Sequence, residues 1–187
     1  TNARYLHPAR AAFAEMLLAK LPRHIDTIFL VNSGAEANEL ALRLARAHTA
    51  RTRVVALEGG YHGFTIAALR ASPYKFTSRA AVDSPGPEET MVLSNAFEAS
   101  APAQVERAMP PPACVIAEPQ MSVAGVLLPP RGWLRDVFAA VRRAGGVAIA
   151  DEIQVGLGRL GTHFFGFERE GAEPDIVTMG KDRKSVV

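Results

Sequence analysis

Gly132-Trp-Leu-Arg-Asp-Val-Phe-Ala-Ala-Val-Arg-Arg143, followed by Ala144-Gly145-Gly146 and then Val147-Ala-Ile-Ala150-Asp151, holds a complete passage from helix to strand. Leu134, Val137, Phe138 and Val141 recur at helical spacing, with Arg135, Arg142 and Arg143 on the opposite face. The glycine pair supplies a helix stop. The run that follows is short, aliphatic and non-alternating, the pattern of a strand buried on both faces. A helix that feeds such a strand argues for an α/β fold with a mostly parallel sheet flanked by helices.

The same alternation extends outward. Thr27–Val31, Arg53–Leu57, Ala113–Ala117 and Asp175–Met179 read as further buried strands. Ala35 to His48 reads as a helix in which Leu40, Leu44 and Ala47 share the apolar face and Glu39, Arg43 and Arg46 the polar one. His7 to Lys20 reads as another helix, ended by Leu21-Pro22. Ser72 to Pro112 is interrupted by prolines and reads as loops around a short helix over residues 101–109.

Composition bounds the function. The chain has 187 residues, 48% of them hydrophobic, enough for a sizeable core in one domain, or one domain plus a fragment of a second. A formal charge of +2, with no clustered Lys and Arg, gives no reason to expect a nucleic-acid or membrane-surface partner. No apolar run is long enough to span a bilayer, and Thr1-Asn-Ala-Arg4 lacks the pattern of a signal peptide. Cys114 is the single cysteine, which excludes an internal disulfide or a cysteine zinc cluster and suits a reducing, cytoplasmic setting. No metal site is expected.

Four constellations can carry chemistry. Asn32-Ser33-Gly34-Ala35-Glu36 lies at a strand–helix junction, where small residues let N–H groups cradle a phosphate. Ser33 and Glu36 also fit an ordinary capping box, and the two readings are compatible. Gly59-Gly60-Tyr61-His62-Gly63 follows a strand, which sets a flat ring and an imidazole at the sheet edge where open α/β folds bind ligands, or else forms a plain turn. Asp151 closes one apolar strand and Glu118 another. A carboxylate so placed needs a cation, a turn to cap, or an Arg such as Arg159. Lys181 follows Asp175–Met179 and Gly180, either as a nucleophilic amine on a strand-end turn or as a solvated charge. Gly156-Leu-Gly158-Arg-Leu-Gly161 matches the dinucleotide fingerprint, yet no strand leads directly into it and no helix start follows, so NAD-dependent oxidoreductase chemistry is the remote alternative.

Taken together and in order, Asn32–Asn38, Tyr61-His62-Gly63, Ile116-Ala-Glu118-Pro119, Ala150–Gly156 and Pro174–Lys181 resemble the class III aminotransferases, enzymes of the aspartate-aminotransferase fold that use pyridoxal 5'-phosphate (PLP). The resemblance implies that residues 1–181 are the PLP-binding large domain, incomplete because the C-terminal small domain is absent. It implies that Lys181 bonds the cofactor aldehyde and moves the α-proton, and that Asp151 pairs with the protonated ring nitrogen. Ile153 and Tyr61 would pack on the two ring faces, Gln154 would bond the phenolic oxygen, and Ser33, Gly34 and Ala35 would hold the phosphate. His62 and Glu118 would be near neighbours. Position 35 is Ala where many members carry Ser, which removes one hydroxyl contact.

Thr1–His7, Ser72-Pro-Tyr-Lys-Phe76 and Pro174–Lys181 are further similar to the branch related to ethanolamine-phosphate phospho-lyases. The expected activity is therefore amino transfer between an amine or amino acid and a keto acid or aldehyde. The alternative is phosphate elimination from a phosphorylated amino alcohol. A homodimer is expected of the whole protein, with little or no turnover from the 187-residue chain by itself. Asp182 to Val187 breaks the pattern, matches a peptide encoded by a common sequencing adapter, and is read as a non-native tail.

Overall fold

The computed structural model describes residues 7–76 and 89–181. Two compact units divide the chain after Leu30. In the first, helix α1 (Pro8–Leu18) begins with proline in its first turn, and the His7 imidazole caps it by accepting from the Ala9 N–H at 3.2 Å. Residues 27–31 form no strand, contrary to the sequence expectation, and Phe29 and Leu30 are 59% and 53% exposed. An apolar run becomes a strand only where a neighbouring strand supplies ladder partners, and among the described residues none pairs with it.

The second unit is the α/β body. Five parallel strands, β1 (Val54–Leu57), β2 (Thr90–Leu93), β3 (Cys114–Ala117), β4 (Val147–Asp151) and β5 (Ile176–Thr178), lie in the order β2-β1-β3-β4-β5. Four of them fall on expected runs. β2 lies in the proline-interrupted region read as loop. Its four residues, Thr-Met-Val-Leu, pair with one neighbour only, at the edge of the sheet.

Helix α2 (Gly34–Thr49) lies over one face, with α3 (Ile66–Arg70) beside it. Val54, Ala56, Cys114, Ile116, Val147 and Ile149 form the core with it. The alternate residues Val55, Leu57, Val115, Ala117, Ala148 and Ala150 are equally buried, so both faces are covered. α5 (Trp133–Arg143), joined by α4 (Ala101–Glu106), packs on β3 and β4 through Leu134, Val137, Phe138 and Val141, the stripe expected from sequence.

The face of α2 differs from expectation. Asn38, Ala41, Leu42 and Ala45 are buried, while Leu44 is 38% exposed. Small alanines let the helix axis approach the sheet, so size outranks hydrophobicity in choosing the face. A last short helix, α6 (Gly166–Arg169), precedes β5. Among the described residues no helix is long and apolar enough to cross a membrane.

The order of connection reverses beside β1: the chain steps from β1 outward to β2, then returns to β3, β4 and β5 on the other side. Ligands in open parallel sheets bind at the carboxyl ends of strands where this reversal occurs.

Candidate active site at the carboxyl edge of the sheet

Every residue singled out from sequence lies on a carboxyl end of a strand or on the first turn of α2. Tyr61 and His62 follow β1, Glu118 follows β3, Asp151 ends β4, Ile153 and Gln154 sit in the turn after it, and Lys181 follows β5. Across the β1/β3 reversal, the Tyr61 N–H donates to Glu118 Oε1 at 3.2 Å. The other oxygen of Glu118 accepts from the Ser122 hydroxyl at 3.2 Å. Burial pushes this carboxyl up from its ordinary value; the His62 imidazole opposes the shift and the Asp151 charge adds to it.

Asp151 is 3% exposed and fully engaged. Its Oδ2 accepts from Asn38 Nδ2 at 2.8 Å and meets His62 Nδ1 at 2.7 Å, and its Oδ1 caps the turn by accepting from the Ile153 N–H at 3.1 Å. A carboxylate accepts, so the contact is a hydrogen bond when the His62 ring carries its proton on Nδ1. His62 Nε2 is then buried without a partner, facing Gly60, where a Cβ would stand 3.3 Å away. Arg159 is not the partner of Asp151; it donates to the carbonyls of Gly156 and Lys181.

Three contributors escaped the sequence reading. Asn38 also donates to the His62 carbonyl at 2.8 Å, and its own carbonyl accepts from Thr178 Oγ1 at 2.7 Å. The Ser72 hydroxyl accepts from the His62 N–H at 2.8 Å and donates to the Ala68 carbonyl at 2.6 Å. The signal for Asn38 was its place in the stripe with Ala41, Leu42 and Ala45. A buried amide in an apolar stripe must find partners for all its polar atoms.

Close packing brings the remaining residues together. Ser33 caps α2, its hydroxyl accepting from the Glu36 N–H at 3.2 Å, while Glu36 reaches back to the Asn32 N–H at 2.7 Å. The Gly34 and Ala35 N–H groups lie in the open first turn, where the helix dipole favours an anion. A Cβ on Gly34 would sit 3.0 Å from the Ile153 side chain, and one on Gly180 3.3 Å from the same side chain. Gly63, at φ +128, abuts Ala35 so closely that a Cβ would fall 2.6 Å from the Ala35 Cβ. The register pairs Asp151 with Thr178, three residues before Lys181, which is exposed. Gln154 is half-buried.

Glu152 turns the other way. Its carboxylate accepts from the Gly166 and Phe167 N–H groups at 2.9 and 2.8 Å and so braces the turn that ends in α6; burial pushes it up to about 7. Gly156 to Gly161 is a series of turns and no helix follows before Gly166, so the dinucleotide pattern lacks its structure. A cleft of about 580 Å³ opens at the opposite edge of the sheet, beside Leu44, His48, Arg142 and Ile176. Its Arg142 is already spent on Asp175, at 3.0 and 3.2 Å, and the cleft holds no comparable grouping. No cluster of three or more His, Cys, Asp or Glu fit for a metal occurs among the described residues.

The chain matches the family model for class-III aminotransferases over residues 3–183. It is 38% identical to the alanine–glyoxylate aminotransferase 2-like protein of Drosophila melanogaster, over 97% of this chain and 41% of that one. A phospholyase from Arthrobacter, solved with phosphoethanolamine, superposes with a TM-score of 0.77 at 33% identity, covering 96% of this chain and 46% of that one. The taurine:2-oxoglutarate aminotransferase of Bifidobacterium kashiwanohense, solved with PLP and glutamate, gives 0.81 at 25% identity, covering 96% and 44%. The chain thus spans less than half the length of the relatives it matches, across the region that carries the cluster around Asp151. It belongs to the class-III aminotransferase family.

Proposed function

We propose that the whole protein moves amino groups with PLP, and that Asp151 and Lys181 are its central residues. The observation that carries this reading is the buried carboxylate of Asp151, held on both oxygens and in register with the strand that leads to Lys181. The residues present fit the cofactor. Gly34 and Gly180 carry no side chain where a Cβ would press on Ile153, Gly63 lets its loop close on Ala35, and the first turn of α2 suits a phosphate. PLP, when bound, supplies an aldehyde carbon and a ring that accepts electrons.

In this reading Asp151 would hold the cofactor by its ring nitrogen, which a carboxylate there would favour in its protonated form. Asn38 and His62 keep that carboxylate aimed by engaging its Oδ2. Lys181 would hold the cofactor through its amine, and that amine, once displaced by the substrate's own, would carry the substrate α-proton. Tyr61, Ile153 and Gln154 would hold the ring, and Ser33, Gly34 and Ala35 would hold the phosphate. Substrates are a small amino donor and acceptor, and the whole protein works as a homodimer. The single, fully buried Cys114 supports a reducing, cytoplasmic setting.

The full-length protein mixed with PLP should develop an absorbance band that borohydride abolishes, and peptide mass mapping should place the reduced adduct on Lys181. An adduct elsewhere, or none, overturns the reading. Phosphate elimination is the second reading, favoured by the Arthrobacter phospholyase and by Ser72–Phe76. Phosphate released from phosphoethanolamine without a keto acid would select it; keto-acid-dependent amino transfer selects the first.

A further inference from the structure

The segment Ser72-Pro-Tyr-Lys-Phe76 is tied to the loop that carries Tyr61 and His62. Pro73–Lys75 forms a 3-10 turn, bound to the Tyr61 loop at two points. The His62 N–H donates to Ser72 Oγ at 2.8 Å, and the Tyr74 N–H donates to the Gly60 carbonyl at 3.1 Å. The turn is therefore fixed relative to Tyr61, which is itself fixed by Glu118.

On this frame the Tyr61 and Tyr74 rings meet edge to face, 6.4 Å apart. The Lys75 ammonium stands over both, 5.8 Å from the Tyr61 centroid and 5.1 Å from the Tyr74 centroid. Lys75 is half-buried, and among the described residues no carboxylate lies within ion-pair distance of it. A partly desolvated ammonium resting only on ring faces is weakly held. Such a charge readily exchanges its remaining water for an oxyanion. Being compact and rotatable, it accepts a tetrahedral phosphate or a planar carboxylate alike.

We propose that Lys75 is the substrate's anion anchor: it receives the phosphate or carboxylate end of an anionic amine whose amino group faces Lys181. This rests on the cofactor reading above and narrows it to substrates carrying an oxyanion.

The full-length, PLP-loaded protein tests it without turnover, by calorimetric titration with ethyl phosphate and with propionate, which have no amine to react. The unaltered protein should bind at least one of them, and the tighter of the two identifies the anion. Lys75→Met should weaken that binding roughly tenfold to a hundredfold, the loss expected for one charge-assisted contact. Lys75→Arg should retain it within about threefold. Lys75→Met should also raise KM for phosphoethanolamine while leaving KM for ethanolamine unchanged. Absence of anion binding in the unaltered protein, or equal binding in Lys75→Met, overturns the anchor, provided the cofactor band forms. Failure of that band instead removes the cofactor reading itself and this inference with it.

Discussion

Asn38 does more for the site than its residue type announces. One amide joins three elements: its nitrogen serves Asp151 on β4 and the His62 carbonyl after β1, and its oxygen serves Thr178 on β5. All four groups are removed from water, so losing the amide leaves several polar atoms unmet at once. Asn38→Leu, which keeps the number of side-chain heavy atoms, should cost about 3 kcal/mol, whereas Thr178→Val, which removes one bond, should cost about 1 kcal/mol. Urea unfolding of the full-length protein without PLP measures both, and equal costs would show that Asn38 is not the joint. Asp151 and Glu118 were legible as site residues because a carboxylate that closes an apolar strand needs a reason to be there. Of the partners of Asp151, only the capped turn was anticipated. Arg159 was among the nearest cations in sequence, but the side-chain partners came from residues far earlier in the chain, and pairing at that range depends on the fold rather than on spacing.

The first turn of α2 and the loop after β1 form one device at the scale of elements. Gly63 at φ +128 lets the loop backbone press against Ala35. Gly63→Ala would bring a methyl group to 2.6 Å of the Ala35 Cβ, which forces the loop away from the helix start. PLP affinity should fall about tenfold or more, as for any loss of an aligned phosphate contact. Gly125→Ala is the control, because Gly125 also has a positive φ, at 102, yet nothing lies within 4 Å of its would-be Cβ. Fluorescence titration with PLP compares the two. Equal losses would mean that backbone strain, not the close approach, is what matters. The elements were readable where periodicity was strong, as in α5 and the central strands. β2 was not, since four residues at a sheet edge among prolines carry too little pattern. Residues 27–31 failed in the opposite sense. Their pattern is clear, but a strand is a property of a pair.

Across the whole molecule, burying carboxyls sets how stability responds to pH. Glu152, fully enclosed beneath the turn before α6, is pushed up to about 7 by burial, which outweighs its two backbone N–H donors. Glu118 and Glu170 shift in the same direction, also chiefly through burial. The folded state therefore holds these protons more tightly than the unfolded chain, whose carboxyls titrate near 4.5. The sign follows from linkage: this contribution is complete below pH 4.5, shrinks as pH rises and is gone above pH 7. Glu152 alone can account for up to about 3 kcal/mol of that change. Urea midpoints of the full-length protein should accordingly fall between pH 5 and 7.5, and Glu152→Gln, which cannot ionise, should flatten the fall. A midpoint that rises through this window, or a slope that Glu152→Gln leaves intact, would mean that the two N–H donors of α6 outweigh burial and hold Glu152 ionised.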